Sequence, residues 1–239
     1  FWPDIINPQI IGTISAMFEP DIIQLASNDL LDLAKTFCRI IDFRSPFTAT
    51  HSVGVSASVQ ALAELTGFTL AEIQDLKIAG YLHDLGKLAV PKEILEKPGK
   101  LTATEFNMVK THAYYGYRTL ETVRGLEKIN HWGTLHHECL DGNGYPFHLS
   151  GDNLSVGSRI MAIADIFTAL LEDRPYRKGM TEETTLQIIT KKAEKGLIDQ
   201  DIVDLLKKNI SKANYMRIEA QRKAVLEYEA FRAAQNFDE

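Results

Sequence analysis

Cysteine is scarce: Cys38 and Cys139 are the only two in 239 residues, and they lie far apart. No CxxC redox or metal motif is present, and a reduced, cytoplasmic setting is the simple expectation. An excess of positive charge is also missing. Twenty-six Lys and Arg stand against 32 Asp and Glu, a net charge of −6. That argues against a general surface for nucleic acid polymers, although an anionic ligand can still bind where metals and a few cations are focused in one cleft. No uninterrupted apolar run approaches the ~20 residues that span a bilayer. Membrane attachment would therefore come only through a segment outside this sequence. The chain opens at Phe1 rather than Met, as expected of a piece trimmed from an upstream sensor or membrane part. Strand signals, repeats and low-complexity tracts are nearly or wholly absent.

What is present is helical periodicity in an ordinary soluble balance, with 45% hydrophobic and 24% charged residues. Residues 21–43 place Ile22, Leu25, Leu30, Leu33, Phe37, Ile40 and Ile41 where one helix face can bury them. Ser45-Pro46 ends that helix. His51 opens another, with Val55, Val59, Leu62 and Leu65 on one side and Gly67 at its end. Thr69 with Glu72, and Thr102 with Glu105, read as capping boxes. Gly86 is expected to stop the helix that carries His83 and Asp84. Residues 88–101 read as a loop bearing Pro and Lys. Residues 138–157, rich in Gly, Asp, Asn, Pro and Ser, read as one long structured loop, followed by a helix over 156–171. The tail, 211–239, carries a sparse stripe of Tyr215, Ile218, Val225 and Phe231. A solvated helix is expected there in preference to an oligomerisation helix.

Chemistry gathers on five of the seven histidines and two aspartates: His51, His83-Asp84, His112, His136-His137 and Asp165. A lone His in an apolar helix is most often a satisfied core or surface residue. Two doublets in company with three further groups are hard to explain that way. Imidazole and carboxylate together suit Mn, Fe, Zn or Ni better than an all-oxygen Ca or Mg cage. Adjacent helical residues point about 100° apart, so a doublet more easily serves two neighbouring ions than one. A bridging carboxylate reaches both members of such a pair, which lie roughly 3.5–4 Å apart. Asp165 sits in the apolar run IMAIADIFTALL, and a buried carboxylate there needs a partner. His131 and His148 match no ligand position and read as surface residues.

The stretches Thr48-Ala49-Thr50-His51-Ser52, YLHDLGKLAVPKEILEKPGKLTATE (81–105), KTHAYYG (110–116), HHECLDGNGYP (136–146), SRIMAIADIFTALLEDRPYR (158–177) and GLID (196–199) resemble the HD-GYP family, a branch of the HD phosphohydrolase superfamily. The resemblance runs from about Thr48 to about Asn209. It implies an all-α helical bundle with a long structured GYP loop. Three parts are expected: an N-terminal helical segment over 1–44, the catalytic domain over 45–210, and a charged C-terminal helix over 211–239.

The resemblance also implies two divalent transition metal ions, with Fe or Mn favoured and Ni or Zn compatible. Asp84 would bridge them. One ion would take His51, His83 and Asp165; the other would take His112, His136 and His137. Lys87 is the family's phosphate-contacting lysine, and Arg174 resembles its second such cation. Arg177 is grouped with the substrate contacts or ties loops together. Tyr145 lines the substrate cleft. Glu138 is expected to orient the neighbouring ligands, and Asp141, Gly142 and Gly144 to shape the loop. Phe47 stands where some members carry a third-metal glutamate, so two ions are expected rather than three. Ser45 and Cys139 also depart from the family's usual Asp and Arg.

The implied reaction is hydrolysis of cyclic di-GMP to pGpG, with GMP as the alternative end product, by a hydroxide carried on the binuclear centre. The rival readings are a phosphohydrolase of another cyclic dinucleotide or a nucleotide, and a non-catalytic module that binds cyclic di-GMP. Expected partners are cyclic di-GMP, GGDEF diguanylate cyclase domains, an upstream sensor, and a second copy in a homodimer.

Overall fold

The structure, a computed structural model, describes residues 25–42, 50–173 and 178–235, with the backbone alone for 231–235. Among these residues there is no β-strand, only an isolated bridge between Asp141 and Ser150. The helices are α1 (Ser27–Asp42), α2 (His51–Leu65), α3 (Leu70–Leu82), α4 (Lys92–Leu95), α5 (Ala103–Glu121), α6 (Glu127–Thr134), α7 (Val156–Leu171), α8 (Glu182–Glu194) and α9 (Gln200–Gln235). Two 3-10 turns, Leu85–Ala89 and Gly151–Asn153, lie between them. No described helix is long and apolar enough to cross a membrane.

Several helix starts follow from local chemistry. Thr69 and Thr102 each accept from the backbone three residues on, and Glu72 and Glu105 reach back to the capping residue's N–H. Both capping boxes therefore form as the sequence indicates. Ser155 and Thr181 cap α7 and α8 in the simpler way, through the hydroxyl alone. Gly67, at φ +79°, lies just past the end of α2.

Helix α2 is the central rod. It packs against α3, α7 and α9, and eleven of its fifteen residues are buried. Small residues make that closeness feasible. A Cβ on Gly80 would meet the Ser56 backbone at 2.8 Å, so α3 crosses α2 where neither helix carries bulk. Around this crossing Leu62, Leu76, Ile78, Ile160, Ile163 and Phe167 are fully buried. Truncating Phe167 to Ala would cost about 3–5 kcal/mol, typical of a large core aromatic. This core holds the ends of α2, α3 and α6 and the middle of α5 and α7 in fixed relation.

The helices differ from the sequence reading in four places. Helix α1 buries Ala34, Cys38 and Ile41, whereas Leu33, Phe37 and Ile40 are exposed. Both stripes have helical spacing, and the smaller one lets α1 lie close on α3. The helix carrying the His-Asp doublet ends at Leu82, before Gly86, which sits inside the first 3-10 turn. Residues 88–101 include the short helix α4. Finally, α9 runs from the helical core into the tail, interrupted only by non-helical φ and ψ at Asn209. It lies along α2 and buries Ala213 and Arg217, while Tyr215, Ile218 and Val225 face solvent.

Candidate metal centre

The seven candidate ligands come from five places in the core. His51 is the first residue of α2. His83 caps the end of α3, and Asp84 precedes the 3-10 turn. His112 lies within α5, His136 and His137 occupy the turn after α6, and Asp165 lies within α7. All seven converge. Two groups have ligand atoms within 4.8 Å of one another: His51, His83 and Asp84 in one, and His112, His136 and His137 in the other.

Asp84 stands between the groups. Its Oδ2 lies 3.1 Å from His83 Nε2, and its Oδ1 lies 3.5 Å from His112 Nε2. Asp165 Oδ1 approaches His51 Nε2 at 3.1 Å and His83 Nε2 at 4.0 Å. The rings of His136 and His137 are 4.0 Å apart by centroid, and His83 and His136 meet edge-on at 4.9 Å. Each doublet lies just beyond a helix end rather than inside a helix, which frees its two side chains from helical spacing.

Hydrogen bonding fixes which nitrogen of each ring faces inward. Nδ1 of His83 bonds the Gly80 carbonyl at 2.9 Å, Nδ1 of His112 the Val109 carbonyl at 2.6 Å, and Nδ1 of His136 the Gly133 carbonyl at 2.6 Å. A carbonyl can only accept, so Nδ1 carries the proton in each case. The Nε2 lone pairs are then directed at the centre. All three Nε2 atoms are buried with no hydrogen-bond partner among the described residues. Buried polar atoms are rarely left that way, and metal ions placed between the two groups would satisfy all three. The donor set thus fits divalent transition metals.

Electrostatics agree at three of the rings, and at His51 two carboxylates reverse the direction. Burial lowers the pKa of His112, His136 and His137, the last to about 3, so these rings are neutral near pH 7 with lone pairs to give. At His51 burial pulls the same way. The Glu172 charge, joined by hydrogen bonds that the ring makes to Asp165 and Glu172, outweighs it and raises the pKa to about 10. For Asp84, burial favours the neutral acid, but the adjoining His83 ring and the Lys87 charge hold the carboxyl well below its usual range. Asp165 is likewise kept ionised against burial by the His51 hydrogen bond and charge.

The neighbouring residues divide. Lys87 Nζ donates to Asp84 Oδ2, so this cation sits at the centre itself. Tyr145 sets its ring 4.7 Å from His137 at a tilt of 32°, and Lys110 Nζ lies 5.1 Å from the Tyr145 ring centre. Burial pushes the Tyr145 phenol well up, so it remains a neutral donor. Glu138 does not orient the histidines. Its carboxylate accepts from the N–H groups of Phe147 at 2.6 Å and Leu149 at 3.1 Å, pinning the long loop instead. Asp141 accepts from Asn143, and a Cβ on Gly144 would meet Cys139 N at 2.3 Å, so both shape that loop. His131 and His148 are exposed. Arg174, Arg177, Ser45 and Phe47 lie outside the described residues.

Sequence reasoning missed Glu172 and Gln221. Glu172 Oε2 lies 2.9 Å from His51 Nδ1, and Gln221 donates to its other oxygen at 2.5 Å. Glu172 falls seven residues after Asp165, just past the end of α7, and nothing in that spacing pairs it with His51. Nothing in the sequence marks Gln221.

An all-helical domain with two His-rich groups joined by a buried aspartate defines a class of metal-binding domain. The HD domain profile matches residues 35–202, and the chain belongs to the HD domain family, in its HD-GYP branch. The matched domain implies divalent metal binding. The chain is 36% identical over 186 residues to the 3'3'-cGAMP-specific phosphodiesterase 1 of Vibrio cholerae, covering 78% of this chain and 43% of that protein. It is 42% identical over 134 residues to a cyclic di-GMP phosphodiesterase of Pseudomonas aeruginosa, covering 56% of this chain and 32% of that one. Among solved structures, a cyclic GMP-AMP specific phosphodiesterase of V. cholerae superposes with TM-score 0.55 at 30% identity, over 87% of this chain and 49% of that one. Bd1817, an HD-GYP-type protein of Bdellovibrio bacteriovorus, shares the fold with TM-score 0.59 at 16% identity, over 78% and 65% of the two chains. The chain spans less than half the length of these curated relatives.

Proposed function

We propose that this chain is a metal-dependent phosphodiesterase that opens cyclic di-GMP to pGpG. The observation that carries the reading is the pair of His-rich groups joined through Asp84, with three inward Nε2 atoms lacking any other partner. The names of the relatives support a cyclic dinucleotide as the substrate class. In this reading His51, His83, Asp84 and Asp165 would hold one ion, and Asp84, His112, His136 and His137 would hold the other. When bound, the ions supply Lewis-acid polarisation of a phosphoryl oxygen and acidify a water for in-line attack at phosphorus.

The chain's own residues do the rest. Lys87, three residues after Asp84, places a compact cation where phosphate charge develops. Tyr145, held over His137 by the pinned loop, offers an O–H and a ring face to the substrate. Arg174 is assigned to substrate phosphate on resemblance alone, and Arg177 is grouped with the substrate contacts or ties loops together.

The test is hydrolysis by protein purified without oxygen and loaded separately with Mn, Fe(II), Ni and Zn. Cyclic di-GMP and 3'3'-cGAMP are offered in parallel, with products separated by chromatography. Conversion of cyclic di-GMP to pGpG, lost in His136→Ala and Asp165→Ala, is expected. Turnover of 3'3'-cGAMP alone would overturn the substrate choice. Binding of cyclic di-GMP without cleavage under every metal would make the chain a signalling module instead.

A further inference from the structure

Three of the buried histidines are oriented locally, each by the carbonyl three residues before it. His51 is not. As the first residue of α2 it has no preceding helical turn, and its Nδ1 instead reaches the Glu172 carboxylate at the far end of α7. Glu172 is itself held. Gln221 of α9 donates from Nε2 to Glu172 Oε1 at 2.5 Å and to the Thr50 carbonyl at 3.1 Å, tying the starts of α2 and the end of α7 together. Gln221 Oε1 accepts from Arg217 Nη1 at 2.6 Å, Arg217 grips Asn214, and Asn214 donates to Glu182 of α8 at 2.7 Å. Gly54 leaves the space for this chain of contacts, since a Cβ there would lie 2.6 Å from Gln221 Nε2.

We propose that Glu172 is a positioning residue for His51 and that Gln221 holds it in place, which makes α9 a structural part of the metal site. A carboxylate on Nδ1–H fixes the tautomer, aims Nε2 at the centre beside Asp165, and raises the ring's basicity as a ligand; removing such a partner typically costs 10–100-fold in metal affinity. The inference rests on the metal-centre reading but not on the identity of the substrate. Gln221 lies beyond the residues matched by the HD domain profile, so the site draws on chain outside the matched domain.

The experiment is Mn(II) titration of the full chain against a chromophoric chelator, with circular dichroism melting of the metal-free protein. Glu172→Ala should weaken one ion by about 10–100-fold and leave the other unchanged, because only one ion is assigned to His51. Glu172→Gln should fall between that and wild type. Its amide has one oxygen for two donors, His51 Nδ1–H and Gln221 Nε2–H, and so loses one of the two bonds. Gln221→Ala should show a smaller loss at the same ion, and it keeps the assignment testable if Glu172→Ala does not fold. Wild-type affinity at both ions in folded Glu172→Ala would overturn the proposal, as would equal weakening of both ions with a fall in the metal-free melting temperature. Because no nucleotide enters the assay, a wild-type chain that binds metal but cleaves nothing refutes the proposed activity and leaves this inference standing. Should the wild type bind no metal, both fall.

Discussion

Gly86→Ala is the sharpest test of how the fold positions the centre. The turn that follows Asp84 runs directly against α5, and a Cβ on Gly86 would lie 1.9 Å from the His112 carbonyl oxygen and 2.6 Å from Gly116 N. Both obstacles are helix backbone, which cannot rotate away as a side chain can. Ordinary overpacking costs about 1–3 kcal/mol, and a clash with rigid backbone belongs at or above the top of that range. Relief requires the turn and α5 to separate by an ångström or more. That separation carries Asp84 away from His112, whose 3.5 Å approach defines the junction between the two groups. Displacements of that size in a catalytic constellation can cost ~10²-fold in rate. Urea unfolding followed by circular dichroism, beside metal quantification, would read both effects. Gly116→Ala is the control. Its Cβ would meet nothing closer than Thr134 Cγ2 at 3.4 Å, and alanine favours a helix interior by up to ~1 kcal/mol over glycine, so it should be neutral or stabilising. If Gly86→Ala kept wild-type stability within about 0.5 kcal/mol, the range of an inert surface change, and kept its metal, the close approach of turn and helix would not be what sets the site.

Three further outcomes follow from the same geometry. Asp84→Ala should abolish hydrolysis and lower metal content at both positions, checked by elemental analysis, because each group loses the carboxylate between them. Lys87→Ala should reduce turnover while metal stays bound; loss of both ions in this variant would show that the lysine serves the aspartate rather than the phosphate. For pH, Glu105 has its pKa lowered from 4.5 to about 2, first by the Lys97 hydrogen bond and then by those of the Thr102 cap. A depressed carboxylate stabilises the fold above its unfolded pKa and loses that contribution as pH falls. Glu105→Gln should therefore be less stable than wild type at pH 7, with the difference shrinking between about pH 4.5 and 2 in denaturant melts.

The helical class, both capping boxes, the bounds of α7 and the doublets and buried carboxylate among the candidate ligands were all legible in the sequence by itself, while His112 entered through the family resemblance. Each depends on residue type and short spacing: a hydroxyl three residues before a glutamate, a carboxylate in an apolar run, histidines in doublets. Which face of α1 is buried was not legible, because two stripes of the same period compete and only the neighbour's shape decides between them. The tertiary structure also showed that Glu138 serves the loop rather than the histidines, since a nine-residue excursion returns Phe147 to it. It alone brought Glu172 and Gln221 to His51, across 121 residues and then 49. A hydrogen bond of that span leaves no periodic trace in the chain, because its direction is set by how α2, α7 and α9 pack and not by anything adjacent in sequence.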